Sequence, residues 1–393
     1  MKSLDIAQSR APGWARAPWR QPLDRWWDKC LTSERFYRWS VSNPLTRWFT
    51  RRRSRQVFDL MAGFVYSQIL LACVRLEIFQ LVQDQPQSLQ ALAQRTQVEP
   101  AALQRLLHSA VALELLTLRG DQLYGLGPLG APVAAFDGIR AMVEHHATLY
   151  QDLSDPVALL RGTLPSAQTE GYWPYVSPDD PARMRAASHE AFSRYSALMS
   201  ASQPFVVDEI LAAYSFEEHQ RVLDVGGGQA TFLTRLARHA PHLQLELFDL
   251  PPVAQLAREN IERQGLSHRI RATGGSFLEN PLPASADLVT LIRIAHDHPD
   301  HDVLTLLKAI HLALPAGGTL LLAEPMAHDD QEHPQGDAYF HFYLLAMGSG
   351  RLRTRHELSS LMEQAGFCLV EPVPTQIPLH TQILIGRKTR CLP

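Results

Sequence analysis

With 393 residues, 46% of them apolar and 20% charged, the chain has the composition of an ordinary globular protein and the length for two or three domains. Its four cysteines are widely scattered, which excludes the paired spacing of a structural zinc site and fits a reducing compartment. The net charge of −3 is unevenly distributed, because residues 1–55 hold eleven arginines and two lysines against four acids, a balance of +9 that leaves −12 for the remainder.

Residues 1–54 form a basic arm that contains six of the seven tryptophans: Trp14, Trp19, Trp26, Trp27, Trp39 and Trp48. Tryptophan favours the headgroup level of a bilayer, and each arginine near anionic lipid contributes about 1 kcal/mol of attraction. The arm therefore predicts a peripheral membrane contact. The alternative is that its tryptophans pack on the body of the protein and its arginines are solvated.

No apolar core of a signal peptide follows the start of the chain. The longest apolar run, Met61 to Val74, contains Ser67 and Gln68 and is followed by Arg75, so we expect it to be too short for a membrane span. These features predict a cytoplasmic protein.

Residues 55–204 are predicted to be mainly helical. Apolar side chains at three- and four-residue steps indicate one long amphipathic helix from Gln56 to Val82. Ser88 is a suitable cap for a short helix, and Pro100 begins another helix through Leu115. Residues 116–124 then predict a small hairpin, which completes a winged helix.

A winged helix raises the alternative of a DNA-binding regulator. Its second helix carries Arg105 and His108 but also Glu114, and the chain after residue 55 is acidic. Recognition of phosphates needs a basic face, so we expect no nucleic-acid partner.

Two further helices are predicted in this segment, Ile139 to Tyr150 and Met184 to Met199. The second presents Tyr195 and Met199, which are candidates for an adaptable apolar wall around a substrate, although plain core packing explains them as well. His145 and His146 on the first have no carboxylate at a metal-ligand spacing, so neither is predicted to bind metal.

In residues 205–393 strands and helices alternate, which predicts a doubly wound α/β sheet. The predicted strands are residues 221–225, 244–248, 269–273, 286–292, 318–323, 367–373 and 380–387. The last two leave no room for a crossover helix and are expected to be antiparallel neighbours at an edge.

The first of these strands leads into a glycine turn, Gly226 to Gly228, and the second ends in Asp249. Glycines let a ligand approach the backbone, and an acid at this place can bind both hydroxyls of a ribose. A nicotinamide enzyme has similar elements. However, Gln229 and Ala230 follow the turn without the further glycine of the pyrophosphate fingerprint.

The motifs DVGGG, FDLP, a histidine–aspartate pair after a strand and a PxGG turn resemble the S-adenosylmethionine-dependent O-methyltransferases of plants and bacteria. The resemblance implies a Rossmann-like class I methyltransferase domain behind a winged-helix dimerisation domain, and hence a homodimer. It also implies S-adenosylmethionine as the cofactor and no metal.

By the same resemblance, Asp224 and the three glycines bind the methionine part of the cofactor, Asp249 the ribose, and Ser276 and Phe277 the adenine. Ser276 stands where aspartate is frequent, and Ala230 where glycine is frequent. The complete predicted set is Asp224, Gly226, Gly227, Gly228, Asp249, Leu250, Ser276, Phe277 and Arg293.

The predicted chemistry lies in LIRIAHDHPD, residues 291–300. A neutral histidine can remove a hydroxyl proton near pH 7, and His296 matches the histidine of the HDW motif in the plant-type enzymes. Glu324 matches an acid that orients this histidine. His298 is the alternative base.

The segment Asp337 to Gly348 is dense in aromatic residues and predicts an apolar acceptor wall that includes Tyr339, Phe342, Tyr343 and Met347. GDxYFxFYLLAMGSGRxRT, together with the arm and the long helix, resembles the carotenoid O-methyltransferases of purple phototrophs, of the hydroxyneurosporene or demethylspheroidene type. This implies methylation of the tertiary 1-hydroxyl of an acyclic carotenoid, at the photosynthetic membrane. A phenol, a quinone precursor or a bacteriochlorophyll ring carbon are alternative acceptors.

Overall fold

The computed structural model describes residues 21–164, 203–284, 286–328, 334–376 and 381–389. The predicted helix from Met184 to Met199, with the candidate residues Tyr195 and Met199, lies outside the described residues. By its internal contacts the chain forms two compact units, Met1–Phe136 and Asp137–Pro393. This division differs from the predicted segment boundaries at 54/55 and 204/205, because helices after Phe136 pack with the second unit.

Over its described residues, 21–136, the first unit is helical apart from one hairpin. Its elements are α1 (Gln21–Leu31), α2 (Glu34–Ser42), α3 (Arg47–Arg75), α4 (Ile78–Gln83), α5 (Leu89–Thr96), α6 (Pro100–Ala112), β1 (Leu116–Arg119), β2 (Leu123–Leu126) and α7 (Gly130–Ala135).

The helix predicted from Gln56 to Val82 is two helices, and the prediction of a single one is wrong. Helix α3 ends at Arg75, and Glu77 adopts a left-handed backbone conformation with φ of 52° before α4 begins. The break turns Ile78 and Phe79 into the core, where both are fully buried. Burial of these two side chains compensates for the strained residue.

The winged helix is confirmed. The Ser88 hydroxyl caps α5 by accepting a hydrogen bond from the backbone N–H of Ala91, and Pro100 occupies the first turn of α6. The hairpin pairs Leu116 with Leu126 in an antiparallel register.

Helix α3 exposes a long apolar face. Val57, Leu60, Met61 and Phe64 recur at helical spacing, and Leu60 and Phe64 are 83% and 73% exposed. Among the described residues, this 29-residue helix is the one segment long and apolar enough to cross a bilayer, and only 17% of its most apolar window is buried. The expectation that the apolar run from Met61 to Val74 is too short for a span is wrong as to length, because the apolar window on this helix reaches 18 residues with a mean hydropathy of 1.8. Length and composition alone do not make it a span.

The second unit contains α8 (Asp137–Asp152), α9 (Pro156–Leu160) and a helical segment at 203–213 before its sheet. Then follow β3 (Arg221–Val225), α10 (Thr231–His239), β4 (Gln244–Asp249), α11 (Pro251–Arg263), β5 (Ile270–Gly274), β6 (Leu288–Ile292), α12 (Asp300–Ala313), β7 (Thr319–Glu324), α13 (Pro334–Met347), α14 (Arg355–Gln364), β8 (Cys368–Val373) and β9 (Gln382–Arg387).

The seven strands form one sheet in the order β5-β4-β3-β6-β7-β9-β8. Strands β3 to β7 are parallel, whereas β9 pairs antiparallel with both β7 and β8. The predicted antiparallel pair at an edge is therefore confirmed. The winding direction reverses between β3 and β6, and a doubly wound sheet binds its ligand in the crevice at such a point.

Apolar side chains cover both faces of this sheet in two core clusters. Every residue of β6 and β7 is buried, which explains why their sequences are nearly continuous apolar runs. Polar residues at the carboxyl ends of the parallel strands therefore stand out at one edge of the sheet, among them Asp224 of β3, Asp249 of β4 and Glu324 of β7.

Candidate active site

The glycine turn after β3 is packed too closely for larger residues. Gly226 and Gly228 have positive φ angles of 72° and 60°, and the N–H of Gly226 donates to the carbonyl of Phe248 at 2.8 Å. A Cβ on Gly226 would lie 2.4 Å from the side chain of Ile294, and one on Gly227 would lie 2.3 Å from Oδ2 of Asp224. The turn therefore requires glycine for both conformation and space.

Ala230 shows why glycine is frequent at its position in the family pattern. It has a φ of 62°, left-handed, directly before α10, and it is fully buried. A left-handed backbone costs a residue with a Cβ about 1–2 kcal/mol. The methyl group of Ala230 is small, so the backbone conformation is the stronger constraint at this position.

Asp224 presents one unsatisfied oxygen to the crevice. The residue is 1% exposed, and its Oδ1 accepts a hydrogen bond from the hydroxyl of Thr290 at 2.7 Å. Oδ2 has no hydrogen-bond partner within the described part of the chain. Burial raises the pKa of this carboxyl to about 7, with Asp249 adding to the rise and Thr290 opposing it.

Asp249 joins the end of β4 to the glycine turn. Its Oδ2 accepts from the N–H of Gly228 at 2.9 Å and its Oδ1 from the N–H of Leu250 at 2.7 Å. Burial raises the pKa of this carboxyl to about 6, against the effect of the two N–H donors. Leu250 thus takes part through its backbone.

These residues fit the cofactor that the resemblance implies. S-adenosylmethionine carries an ammonium and a sulfonium, and a cationic ligand would favour the charged forms of two neighbouring carboxyls, of which Asp224 is buried and Asp249 is half-buried. The unsatisfied oxygen of Asp224 and the lack of room for a Cβ in the turn point to the same ligand. No group of three side chains able to hold a metal ion occurs among the described residues.

The predicted adenine residues lie in a loop after β5. The Ser276 hydroxyl accepts from the N–H of Leu278 at 3.3 Å, and the N–H of Ser276 donates to Oδ1 of Asn280 at 2.9 Å. The ring of Phe277 meets the ring of His298 edge to face at 5.2 Å. Asn280 was not predicted, and only its position four residues after Ser276 indicates its part in this loop.

His296 is held between two carboxylates. Its Nδ1 contacts Oε2 of Glu324, and its Nε2 lies 3.1 Å from Oδ1 of Asp297, with all three side chains buried. Oε1 of Glu324 also accepts from the N–H groups of Ile294 and Ala295 at 2.8 and 2.7 Å. Glu324 therefore anchors both the ring and the turn that carries it.

The charge of His296 differs from the neutral state that the sequence analysis expected. Burial alone would lower the pKa of His296, but Asp297 and Glu324 outweigh it and raise the pKa to about 9. The ring is therefore an imidazolium at neutral pH. For His298, burial lowers the pKa, so the alternative base is neutral.

Arg293, a predicted cofactor residue, interacts electrostatically with Tyr339 of the predicted acceptor wall. Arg293 has a left-handed backbone with φ of 58°, and its N–H donates to the carbonyl of Ala323 at 2.8 Å. Burial raises the pKa of Tyr339 to about 12, and the Arg293 charge opposes the rise. Arg293 thus acts electrostatically on the predicted acceptor wall.

Two histidines that the sequence analysis set aside belong to this wall. His145 and His146 of α8 meet the hydroxyls of Tyr343 and Tyr339 at 3.0 and 2.7 Å through their Nε2 atoms. The tyrosines follow at a four-residue interval on α13, so the two pairs form a ladder between the helices. The partners lie nearly 200 residues apart, and no local pattern indicates the pairing.

The other predicted wall residues differ in exposure. Tyr343 and Met347 are buried between α8 and α13, whereas Tyr339 and Phe342 are partly exposed. Tyr339 stacks on Tyr343 with ring centroids 5.6 Å apart. The described part of the wall therefore offers aromatic surface with hydroxyl groups held by histidine.

Comparisons with known proteins show the family of the chain. The family model of an O-methyltransferase domain matches residues 150–368, and that of an O-methyltransferase dimerisation domain matches residues 58–133. Demethylspheroidene O-methyltransferase of Cereibacter sphaeroides is 40% identical over 342 residues, which span 87% of this chain and 89% of the relative. The enzyme of the same name from Rhodobacter capsulatus is 39% identical and covers 87% of this chain and 84% of the relative.

Solved structures share the fold. Human N-acetylserotonin methyltransferase in complex with SAM superposes with a TM-score of 0.72 at 22% identity, over 86% of this chain and 98% of that one. The predicted arrangement of a winged helix and a class I domain is confirmed by this likeness.

Proposed function

The chain belongs to the O-methyltransferase family and uses S-adenosylmethionine, and from this premise we propose that it methylates the tertiary 1-hydroxyl of an acyclic hydroxycarotenoid. The observation that carries the choice of acceptor is the 40% identity, along most of both chains, to a demethylspheroidene O-methyltransferase. The aromatic wall of α13 supports it, because a polyene is long and apolar. By the same reasoning, the dimerisation domain supports a homodimer.

Labelled S-adenosylmethionine and a pigment extract from a phototroph that contains hydroxycarotenoids test this proposal. We expect the label in a methoxy group on an acyclic carotenoid, and no label on the same carotenoid lacking the hydroxyl. If the label were found instead on a phenol, a quinone precursor or a bacteriochlorophyll ring carbon, the proposed acceptor would be wrong.

The bound cofactor would supply an electrophilic methyl group for in-line displacement by the acceptor oxygen. A tertiary alcohol is a weak acid, so a base and a dry site are both required. We assign the base to His296, held by Glu324, and the removal of water to the buried surroundings of that pair. Oδ1 of Asp297 lies 3.1 Å from Nε2, so an acceptor hydroxyl that reaches Nε2 must approach beside this carboxylate.

His298 is the weaker candidate for the base. Its ring packs against Phe277, the residue assigned to the adenine, rather than against the tyrosines of α13. Because His298 lies beside a predicted cofactor residue, we assign it to the wall of the cofactor pocket.

The pH dependence of the reaction follows from the charge of His296. Because only the neutral ring accepts a proton and the raised pKa is about 9, kcat/KM should rise with pH from 7 and level off above about 9. Asp297→Asn removes one of the two raising carboxylates and should move the inflection to lower pH. Steady-state rates between pH 6 and 10 measure both curves. A wild-type profile that is flat from pH 6.5 to 9 would contradict the assignment.

We also propose that the basic arm contacts a membrane, where such an acceptor is dissolved. Trp26, Trp39 and Trp48 are more than half exposed, and an open groove on α3 is lined by Arg47, Trp48, Arg51, Arg52 and Arg55. Arg52 lies over the ring of Trp48 at 5.6 Å. Exposed tryptophan beside arginine suits the headgroup layer of anionic lipid on the cytoplasmic face of the photosynthetic membrane.

Vesicle flotation tests this contact with a charge-matched control. Each arginine contributes about 1 kcal/mol near an anionic surface, so changing Arg47, Arg51 and Arg52 together to Gln should weaken partition roughly 100-fold. The control changes Arg238, Arg258 and Arg263 of the second unit to Gln and alters the net charge equally. Equal flotation of both variants would remove the proposal.

A further inference from the structure

The turn that carries His296 has all its carbonyl groups bound by one short segment. Ser349 donates from its hydroxyl to the carbonyl of Asp297 at 2.8 Å, and the N–H of Arg351 donates to the carbonyl of His296 at 3.0 Å. Arg353 donates to the carbonyls of Ala295 and His298 at 2.6 and 2.7 Å. Four consecutive carbonyls, at 295 to 298, are thus satisfied by residues 349–353, which we name the carbonyl clamp.

Arg353 is the centre of the carbonyl clamp. Its side chain is 1% exposed, which is rare for arginine, and its guanidinium also binds Asp300 at the start of α12. A planar fork with five donors can hold two carbonyls and a carboxylate at once, whereas a lysine ammonium acts as a point charge. The residue thus fixes the turn at both ends and ties it to α12.

The backbone of the carbonyl clamp packs closely against the His296 turn at Gly350. Gly350 has a φ of 75°, and a Cβ there would lie 2.0 Å from the carbonyl oxygen of His296. The carbonyl of Arg353 accepts from the N–H of Ala327 at 2.8 Å, three residues after Glu324. The clamp is therefore connected to the strand that holds Glu324 as well as to the turn that holds His296.

The carbonyl clamp also adjoins the acceptor wall. Helix α13, which carries Tyr339 and Tyr343, ends at Met347, and Ser349 follows after Gly348.

We propose that the side chains of Ser349 and Arg353, together with the backbone N–H of Arg351, position the catalytic base, with Arg353 as the positioning residue that holds the His296 turn in register with Glu324. The inference rests on the proposed role of His296. It adds a function to the GRxRT sequence, whose described hydrogen bonds reach the carbonyls of the His296 turn, Asp300 and Glu357. Loosening the turn should disturb the alignment of His296 between its two carboxylates without disturbing the glycine turn.

The test compares Arg353→Lys with Arg351→Lys. Both arginines bind Asp300, but the Arg351 side chain reaches Asp300 and Glu357 and no carbonyl of the turn. We expect Arg353→Lys to lower kcat at least tenfold, with KM for the acceptor and Kd for S-adenosylhomocysteine within threefold of wild type. Arg351→Lys should lose less than threefold in kcat. Equal losses in the two variants, or a parallel loss of cofactor affinity in Arg353→Lys, would overturn the proposal.

A second readout does not depend on the acceptor. NMR titration of the His296 ring, identified by its absence in His296→Gln, should show the raised pKa of wild type preserved in Arg351→Lys and shifted in Arg353→Lys. This result would stand even where no carotenoid is methylated, so failure of the acceptor proposal is distinguishable. An unchanged His296 titration in Arg353→Lys contradicts the clamp.

A milder variant covers the case in which Arg353→Lys does not fold. Ser349→Ala removes a single hydrogen bond to the turn, and Ser360→Ala on α14 is its control, since Ser360 bonds only within its own helix in the contacts that the structure describes. Ser349→Ala should lower kcat threefold to tenfold and Ser360→Ala should not. Equal rates in these two variants would also overturn the proposal.

Discussion

His296→Ala is expected to lower kcat by roughly 10²–10⁴ while the Kd for S-adenosylmethionine stays nearly unchanged. Glu324 is poorly placed to replace the ring as the base, because its Oε1 already accepts hydrogen bonds from two backbone N–H groups of the same turn. The ion pairs of the His296 side chain are with Glu324 and Asp297, whereas the predicted cofactor residues are Asp224 and Asp249 beside the glycine turn. Single-turnover rates with saturating cofactor separate the chemical step from binding.

His298→Ala is the matched control for this experiment. The two histidines lie two residues apart, but only His296 contacts Glu324. We expect the control to lose less than tenfold in kcat. Wild-type turnover in His296→Ala together with a large loss in His298→Ala would transfer the role of base to His298.

Asp249→Ala is expected to raise the Kd for S-adenosylmethionine at least 100-fold. Hydrogen bonds to a charged group contribute about 1.5–3 kcal/mol each, and the residue is assigned two ribose hydroxyls. The change also releases the N–H groups of Gly228 and Leu250, so the glycine turn loses its link to β4. Equilibrium dialysis with labelled cofactor measures the loss directly.

Asp208→Ala serves as the control for Asp249→Ala. Asp208 is an exposed acid of the same unit, paired with Arg235. Its removal changes the net charge equally and should leave the Kd within twofold. If Asp249→Ala also binds the cofactor with wild-type affinity, the ribose assignment is wrong.

The sheet could be predicted from sequence because its physical cause is local. Parallel strands buried on both faces must be apolar throughout, so β6 and β7 appear as short apolar runs bounded by turn residues. The predicted strand ends agree with the structure within one or two residues. The helix starts at Ser88 and Pro100 and the glycine turn could also be predicted, because helix capping and positive φ angles restrict the residue type at a single position.

The features that sequence reasoning missed depend on contacts between distant residues. The break at Glu77 is set by the burial of Ile78 and Phe79, which periodicity cannot distinguish from a continuing helix. The charge of His296 depends on Asp297 turning toward Nε2, and adjacency in sequence does not specify that orientation. Arg353 lies in the GRxRT sequence, which does not indicate that the side chain is buried, because that burial depends on packing against the His296 turn.

Calorimetric titration of the wild-type protein tests the central claim, that the glycine turn and Asp249 form a site for an adenosyl sulfonium. S-adenosylmethionine and S-adenosylhomocysteine should each bind at one site per chain with measurable heat, and NAD or NADP should give none. Tight binding of a nicotinamide nucleotide, with no heat from either adenosyl compound, would contradict the account.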